Sequence, residues 1–443
     1  MSAKNTGWLE NFLVKKLKGF LPYGNMVVSM IVSIMVLALV ATDVLIDAAK
    51  ILFFTSPLWL MYLAPATVTH YWNHYVRHLA MEDPFRKPVL YEILIPRDIK
   101  KSPKAMEIVF DSLHAKWHIG SSYHRRWRGH VPPVFTFELC SHEGEIHFYT
   151  YVWDWTKDRV EAALYSQFPN LKLVQIPPEQ DYVRRFKGVP PLWGCNFKLT
   201  KGDAYPLKTY HDFELEKDPK PEHKSDPMLT ILEQMATMEK GEYMWYQFML
   251  QVEHLPNKKG GWYEQVQKEI EAIYARATPE YPTSDGKIMA GYPQIKPMEY
   301  ELIKSMERSL TKHGFKVGIR GVYINTGGMW FKHSQMLWRM FFQYASDGGE
   351  YFNRLTQDPE SGTSGFDWPW EDFMGIRRNA RVKKLWDAYC SRGYFTPPHI
   401  YDPIILTAEE IATLYHFPGE ESRVMGIHFL ESKRGAAPVN LPE

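Results

Sequence analysis

The residues of this chain best suited to hold an ion are its clustered histidines. His70, His74 and His78 recur every fourth residue, which puts them on one helix face, and His114 and His118 repeat the spacing. Two imidazoles so placed can share a metal ion. No cysteine or carboxylate stands where it would complete either set, so a polar helix face and a helix-end pair are expected, with no metal site and no cofactor. The densest positive run is His124, Arg125, Arg126 and Arg128, with Tyr123 and Trp127 interleaved. Arginine beside an aromatic ring can grip phosphate and stack on bases. Arg125, Arg126, Trp127 and Arg128 are therefore candidate contacts for nucleic acid or lipid headgroups, with a solvated loop as the plainer reading. Arg377, Arg378 and Arg381, followed by Lys383 and Lys384, pose the same choice on an expected helix.

Signatures of catalysis are missing. The sequence has no GxxxxGK[ST] segment, no GxSxG elbow and no HExxH pair. Gly327-Gly328 lacks the lysine of a phosphate loop and reads as a turn, and Glu409-Glu410 stand where a helix dipole already favours acids. The three cysteines, Cys140, Cys195 and Cys390, are far apart and odd in number, which excludes a disulfide scaffold and a zinc ribbon. Lysine and arginine (52) cancel aspartate and glutamate (51), so a generally basic nucleic-acid coat is excluded as well. With 45% apolar and 23% charged residues, the chain can bury a core. The expectation is a protein that is not an enzyme.

The elements that position these residues divide the chain into six parts. Residues 1–22 carry an apolar stripe from Trp8 to Leu21 beside Lys15, Lys16 and Lys18, the pattern of an interfacial helix, with Trp8, Phe12, Lys15 and Lys16 as membrane-interface candidates. Residues 23–70 hold two uncharged stretches, Tyr23–Thr42 and Ile51–Val68, separated by Asp43, Asp47 and Lys50, and Trp72 and Tyr75 follow as an aromatic belt. This predicts a transmembrane hairpin, or one long span to about Ala49. Basic flanks on both sides would place both termini and the soluble domains on the cytoplasmic side of the inner membrane. Over 85–182 the order is β-α-β-β-α-β, the split β-α-β of ferredoxin-like domains, with a hairpin turn at Glu143-Gly144. Residues 190–346 read as a second, related α/β sandwich with a long insertion. Residues 347–434 look loop-rich with short helices, one capped by the Thr407/Glu410 box, and 435–443 look like a linker. The expected class is α+β: a transmembrane hairpin followed by the two α/β domains.

Several blocks resemble a known family. Ile95-Pro96-Arg97, residues 101–107 (Lys-Ser-Pro-Lys-Ala-Met-Glu) and 144–149 (Gly-Glu-Ile-His-Phe-Tyr) are similar to the domain preceding the motor in type IV secretion and conjugation ATPases. Residues 406–418 (Leu-Thr-Ala-Glu-Glu-Ile-Ala-Thr-Leu-Tyr-His-Phe-Pro) and 431–442, ending Pro438-Val439-Asn440-Leu441-Pro442, resemble the block just before the motor. The resemblance covers most of 23–443. In that family the Asn-Leu-Pro tail leads into a RecA-like ATPase domain. Here it ends at Glu443, so the implied protein is a membrane-anchored, non-catalytic component of a translocase for DNA or protein, docking a P-loop ATPase carried on a separate polypeptide. Leu414, Phe417, Pro438, Leu441 and Pro442 are the docking candidates. A homo-oligomer is expected, with the bilayer and DNA as further partners. The rival expectation is a membrane-surface module that binds nucleic acid or anionic lipid without a motor.

Overall fold

The computed structural model describes Ser33 and residues 42–81, 87–96, 101–115, 121–215, 226–252, 261–282, 288–327, 333–339, 341, 344, 350–363, 372, 375–419, 424 and 426–429. The chain forms two compact units, residues 1–73 and 74–443.

In the N-terminal region, helix α1 spans Thr42–Phe54 and α2 spans Ser56–Met81. Among the described residues no helix is long and apolar enough to cross a membrane. This corrects the expected transmembrane hairpin, and with it the membrane-protein assignment and the inner-membrane localisation. Asp43, Asp47 and Lys50, read as the hairpin's turn, lie inside α1, where Lys50 pairs with Asp47 at 2.9 Å. The apolar run from Ile51 is broken at Thr55, and α2 then continues through His70, Asn73, His74, Arg77 and His78, which dilutes its apolar first half. The stripe at 8–21, with Trp8, Phe12, Lys15 and Lys16, and nearly all of the first expected span lie outside the described residues.

The larger unit is organised by one sheet. Its elements are β1 (Pro88–Leu94), α3 (Pro103–Leu113), α4 (Ser122–Trp127), β2 (Val134–His142), β3 (Glu145–Trp153), α5 (Lys157–Gln167), β4 (Lys172–Ile176), β5 (Leu192–Leu199), α6 (Pro227–Ala236), β6 (Glu242–Val252), α7 (Trp262–Ala277), β7 (Glu280–Pro282), β8 (Ile288–Ala290), α8 (Pro297–Leu310), β9 (Gly314–Asn325), α9 (Ser334–Arg339), β10 (Leu355–Gln357), α10 (Ile376–Cys390), β11 (Phe395–Thr396), β12 (His399–Ile400), β13 (Ile404–Thr407) and α11 (Ala408–Leu414). The strand order is β10-β5-β9-β6-β2-β3-β1-β4, with β13 also on β9, and every pairing is antiparallel.

Read from either edge, each half has the order fourth-first-third-second of its own strands, the order of a split β-α-β unit. The halves meet where β2 pairs with β6 along nine residues, Val134↔Gln251 to His142↔Tyr243. What the sequence divides into a ferredoxin-like domain and a separate sandwich therefore shares one nine-stranded sheet. A seam of nine paired residues leaves neither half with an exposed edge there, which is why the units do not stand apart. In the second half, α7, β7, β8 and α8 are inserted between β6 and β9.

The alternation of side chains along the strands feeds two cores. Phe135, Phe137 and Leu139 of β2, with Phe248 and Leu250 of β6, face the layer built by α3, α5, α6 and α11. Cys140, Trp245, Val322 and Ile324 face the other way, against Leu385, Trp386 and Tyr389 of α10 and against Tyr182 and Val183. The hairpin turn between β2 and β3 has Glu143 at φ 56° and Gly144 at φ 92°, the positive pair a two-residue turn requires.

Candidate functional site

The α10 side of the sheet is not purely apolar. Directly opposed residues form a continuous polar row across five strands and onto a sixth: Glu92, Tyr149, Glu138, Gln247, Arg320 and Asn196. Glu138, Gln247 and Arg320 have no exposure. A buried carboxylate without partners would be prohibitively costly, and Glu138 has four. It accepts from Arg392 Nε (2.9 Å) and Nη2 (3.3 Å), from the Tyr182 hydroxyl (2.8 Å) and from Gln247 Nε2 (2.9 Å). Arg392 also reaches Asp181 with Nη1 (2.5 Å) and Nη2 (3.1 Å), and its guanidinium lies 4.4 Å from the centre of the Tyr151 ring. Burial would favour a neutral guanidine, but the charges of Glu138 and Asp181 hold Arg392 firmly protonated.

Arg392 stands just past the end of α10 with φ 51°, where Gly393 N donates to Ala388 O in the manner of a helix-ending turn. That left-handed position usually takes glycine, and another residue costs roughly 1 kcal/mol. The bidentate ion pair explains why arginine occupies it. Arg320, also fully buried, donates to Asn196 Oδ1 (2.9 Å) and to the carbonyls of Ala388 (2.8 Å) and Gly393 (2.9 Å), which fixes the same turn from the other half of the sheet. A cleft of 280 Å³ opens beside this network, lined by Thr136, Tyr151, Trp153, Arg392 and the segment to Pro398. The charges facing it are already spent on one another. Burial pushes the Cys140 thiol well up, so it offers no thiolate nucleophile. The arrangement holds elements in register; it presents no poised acid, base or nucleophile.

At the other end of the row lies a histidine–carboxylate cluster. Glu92 Oε1 is 2.7 Å from His147 Nδ1 and 3.0 Å from His428 Nδ1. Burial pushes the Glu92 carboxyl up, yet hydrogen bonds and charge from His147 and His428 outweigh it and hold the group below the ordinary carboxylate range. His142, 5.0 Å from His147 between ring centres, accepts from Trp245 Nε1 at 3.2 Å. Burial first, then repulsion from His147 and Arg185, lowers its pKa to about 2, so its ring is neutral.

His428 belongs to a strap, residues 426–429, laid along the β2–β3 hairpin. Ile146 N donates to Gly426 O (2.6 Å), His428 N donates to Ile146 O (3.0 Å), and Ile95 bridges to Phe429. Gly426 has φ 88°, and a Cβ there would overlap the Gly144 carbonyl oxygen, so the close approach depends on glycine. Upstream, β13 fills the half of the β9 edge that β5 leaves open: Ile404–Thr407 pair with Gly314–Val317, while β5 pairs with Ile319–Ile324. Thr407 and Glu410 cap α11 reciprocally, with Glu410 N donating to Thr407 Oγ1 (3.3 Å) and Thr407 N to Glu410 Oε2 (2.7 Å).

The residues expected to act from sequence are scattered. Arg126, Trp127 and Arg128 are exposed on and beside α4; the Arg125 side chain lies outside the described set. Arg378 is exposed in the first turn of α10, Arg377 is half-buried, and Arg381 donates to the Gly362 carbonyl at 3.2 Å. Asp372 caps that turn, accepting from the backbone N–H groups of Arg377 and Arg378. Neither arginine run touches the polar row. Trp72 and Tyr75 are exposed on α2. Leu414 and Phe417, expected to dock a partner, are each only 2% exposed and belong to the core, where Phe417 packs edge-on against Phe148 and Phe168. Pro438, Leu441 and Pro442 lie outside the described residues. His114 stacks on His313, not on a second ligand, at 4.3 Å. Sequence reasoning missed Glu92, His147, His428, Glu138 and Arg392. Only the alternation of β3 hinted that His147 shares a face with Tyr149. No family model matches this chain, and no curated protein matches it.

Proposed function

We propose that this chain is a non-catalytic docking platform for a P-loop translocation ATPase, in a machine similar to those of type IV secretion and conjugation. One observation carries the reading. The block most similar to that family, residues 406–418, is built into the sheet through β13 and α11, and the strap after it is clamped to the β2–β3 hairpin. A chain so anchored delivers whatever follows Phe429 at a fixed place on a rigid body. Docking then falls to the tail, at Pro438, Leu441 and Pro442, while Leu414 and Phe417 anchor that tail from within the core. The spent charges of the polar row support a scaffolding role.

The test is co-expression with a P-loop translocation ATPase, affinity purification and size-exclusion chromatography. Co-elution that is lost in Leu441→Asp/Pro442→Ala supports the reading; separate elution, with ATP turnover unchanged by added platform, refutes it. A second reading rests on the exposed Arg126, Trp127 and Arg128, which suit a nucleic-acid backbone and a stacked base. It requires DNA affinity that falls with salt, with a shallower slope in Arg126→Ala/Arg128→Ala.

A further inference from the structure

Glu92, His147 and His428 come from three separate stretches of chain, two strands and the strap. One ligand atom of each lies within 4.8 Å of those of the others. Zinc with bonds of about 2.0–2.1 Å spaces tetrahedral ligands roughly 3.3 Å apart. The two carboxylate–imidazole contacts, at 2.7 and 3.0 Å, need open only by tenths of an ångström to admit an ion. Two imidazoles and one carboxylate suit zinc and its first-row neighbours, whereas calcium and magnesium require more oxygen donors.

The surroundings hold the ligands in place. The His147 ring stacks on Tyr149, 5.8 Å between centres and 9° from parallel, and its Nε2 faces Glu145 Oε2 at 4.0 Å, leaving Nδ1 toward Glu92. Outer contacts of this kind fix which imidazole nitrogen meets a metal. The backbone bonds at Ile146 fix the position of His428, whose half-exposed ring leaves the ion's remaining position open to water.

We propose that Glu92, His147 and His428 form a divalent transition-metal site of the zinc class, which pins the C-terminal strap to the sheet. The site is independent of the docking reading: it concerns how the strap is held, whatever the strap presents.

The test uses the full-length, untagged chain, stripped with a chelator and titrated with Co²⁺. The expected result is one Co²⁺ per chain, with the visible absorption of a low-coordinate site, displaced by Zn²⁺. Loss of an outer contact costs roughly 10–100-fold in metal affinity, so His147→Ala and His428→Ala should each cost at least about 100-fold. Zinc should also slow proteolysis beyond Phe417 in the parent chain and have no such effect in His428→Ala. Because the His428 side chain is 53% exposed, that variant is expected to keep the parent's unfolding midpoint in the absence of metal, which separates ligation from folding. Absence of Co²⁺ and Zn²⁺ binding at micromolar concentrations, or equal affinity in His428→Ala and parent, overturns the proposal.

Discussion

Replacing Arg392 with methionine isolates the ion pair on which the two halves of the sheet converge. Methionine keeps the Cβ and most of the stem, so the cost of the left-handed backbone at this position is common to both proteins. The charge is lost: Glu138, with no exposure, retains only the Tyr182 hydroxyl and the Gln247 amide, and Asp181 loses both of its guanidinium contacts. Breaking a buried pair from one side costs about 3–5 kcal/mol. The unit from His74 to Glu443 is about 370 residues, and an unfolding entropy of roughly 2.1 cal/mol/K per residue gives about 0.8 kcal/mol/K for it. Arg392→Met should therefore lower the Tm by about 4–6 °C. Calorimetry and urea unfolding both read this. Glu138→Gln in the same background removes the stranded charge and should return at least about 1 kcal/mol. A loss below about 1 kcal/mol for Arg392→Met, or an equal loss in the Glu138→Gln background, would show that the network is not what holds this face.

Three further outcomes follow from particular contacts. His416 Nε2 meets Asp226 Oδ2 at 2.8 Å inside the core; burial opposes both charges, but each partner outweighs it, raising the His416 pKa above 6.5 and lowering that of Asp226 below 3.8. The His416 contribution is full below 6.5 and fades as pH rises through the folded-state value, whereas that of Asp226 fades as pH falls through its own. His416→Gln should thus cost most at about pH 5, roughly 3 kcal/mol by chemical denaturation, and distinctly less at about pH 9. Gly426→Ala places a Cβ on the Gly144 carbonyl and should release the strap, raising protease cleavage after Phe417 while leaving the Tm within about 2 °C, because the sheet itself is untouched. Phe417→Ala should cost about 3–5 kcal/mol in unfolding free energy, the value for a buried phenylalanine; a smaller loss together with weakened ATPase binding would return Phe417 to the surface.

Merging two halves into one sheet creates a difficulty that the polar row answers. A seam of nine residues between β2 and β6 with apolar faces on both sides would tolerate a slip of two positions, since the same face would stay buried. Glu138 opposite Gln247, and Gln247 opposite Arg320, remove that freedom. Each would lose its partner in any shifted pairing, and an unmatched buried charge costs several kcal/mol. The row therefore specifies register, a role for which an uncharged core would serve less well.

How far the sequence could be read depended on how local each determinant is. The β2–β3 hairpin was legible because Glu143-Gly144 and the flanking alternation lie within twenty residues, and the α11 cap because Thr407 and Glu410 are three apart. The N-terminal region was misread for the same reason. Hydropathy counted apolar residues in 51–68, but where a helix starts and stops decides what it can span, and α2 runs on into His70–Met81. The strand β13 was hidden because Ile404–Thr407 is too short to be a strand alone and exists only as a complement to the free half of β9. Glu138 and Arg392 are 254 residues apart, and Glu92 and His428 are 336 apart. A glutamate within a strand carries no sign that the sheet will bury it beside an arginine from a helix end. The same distance explains why the histidines that looked spaced for a metal, His70, His74 and His78, are a helix face. The three groups that do converge share no spacing at all: β1 and β3 must pair, and the strap must return across Gly144, before Glu92, His147 and His428 can meet.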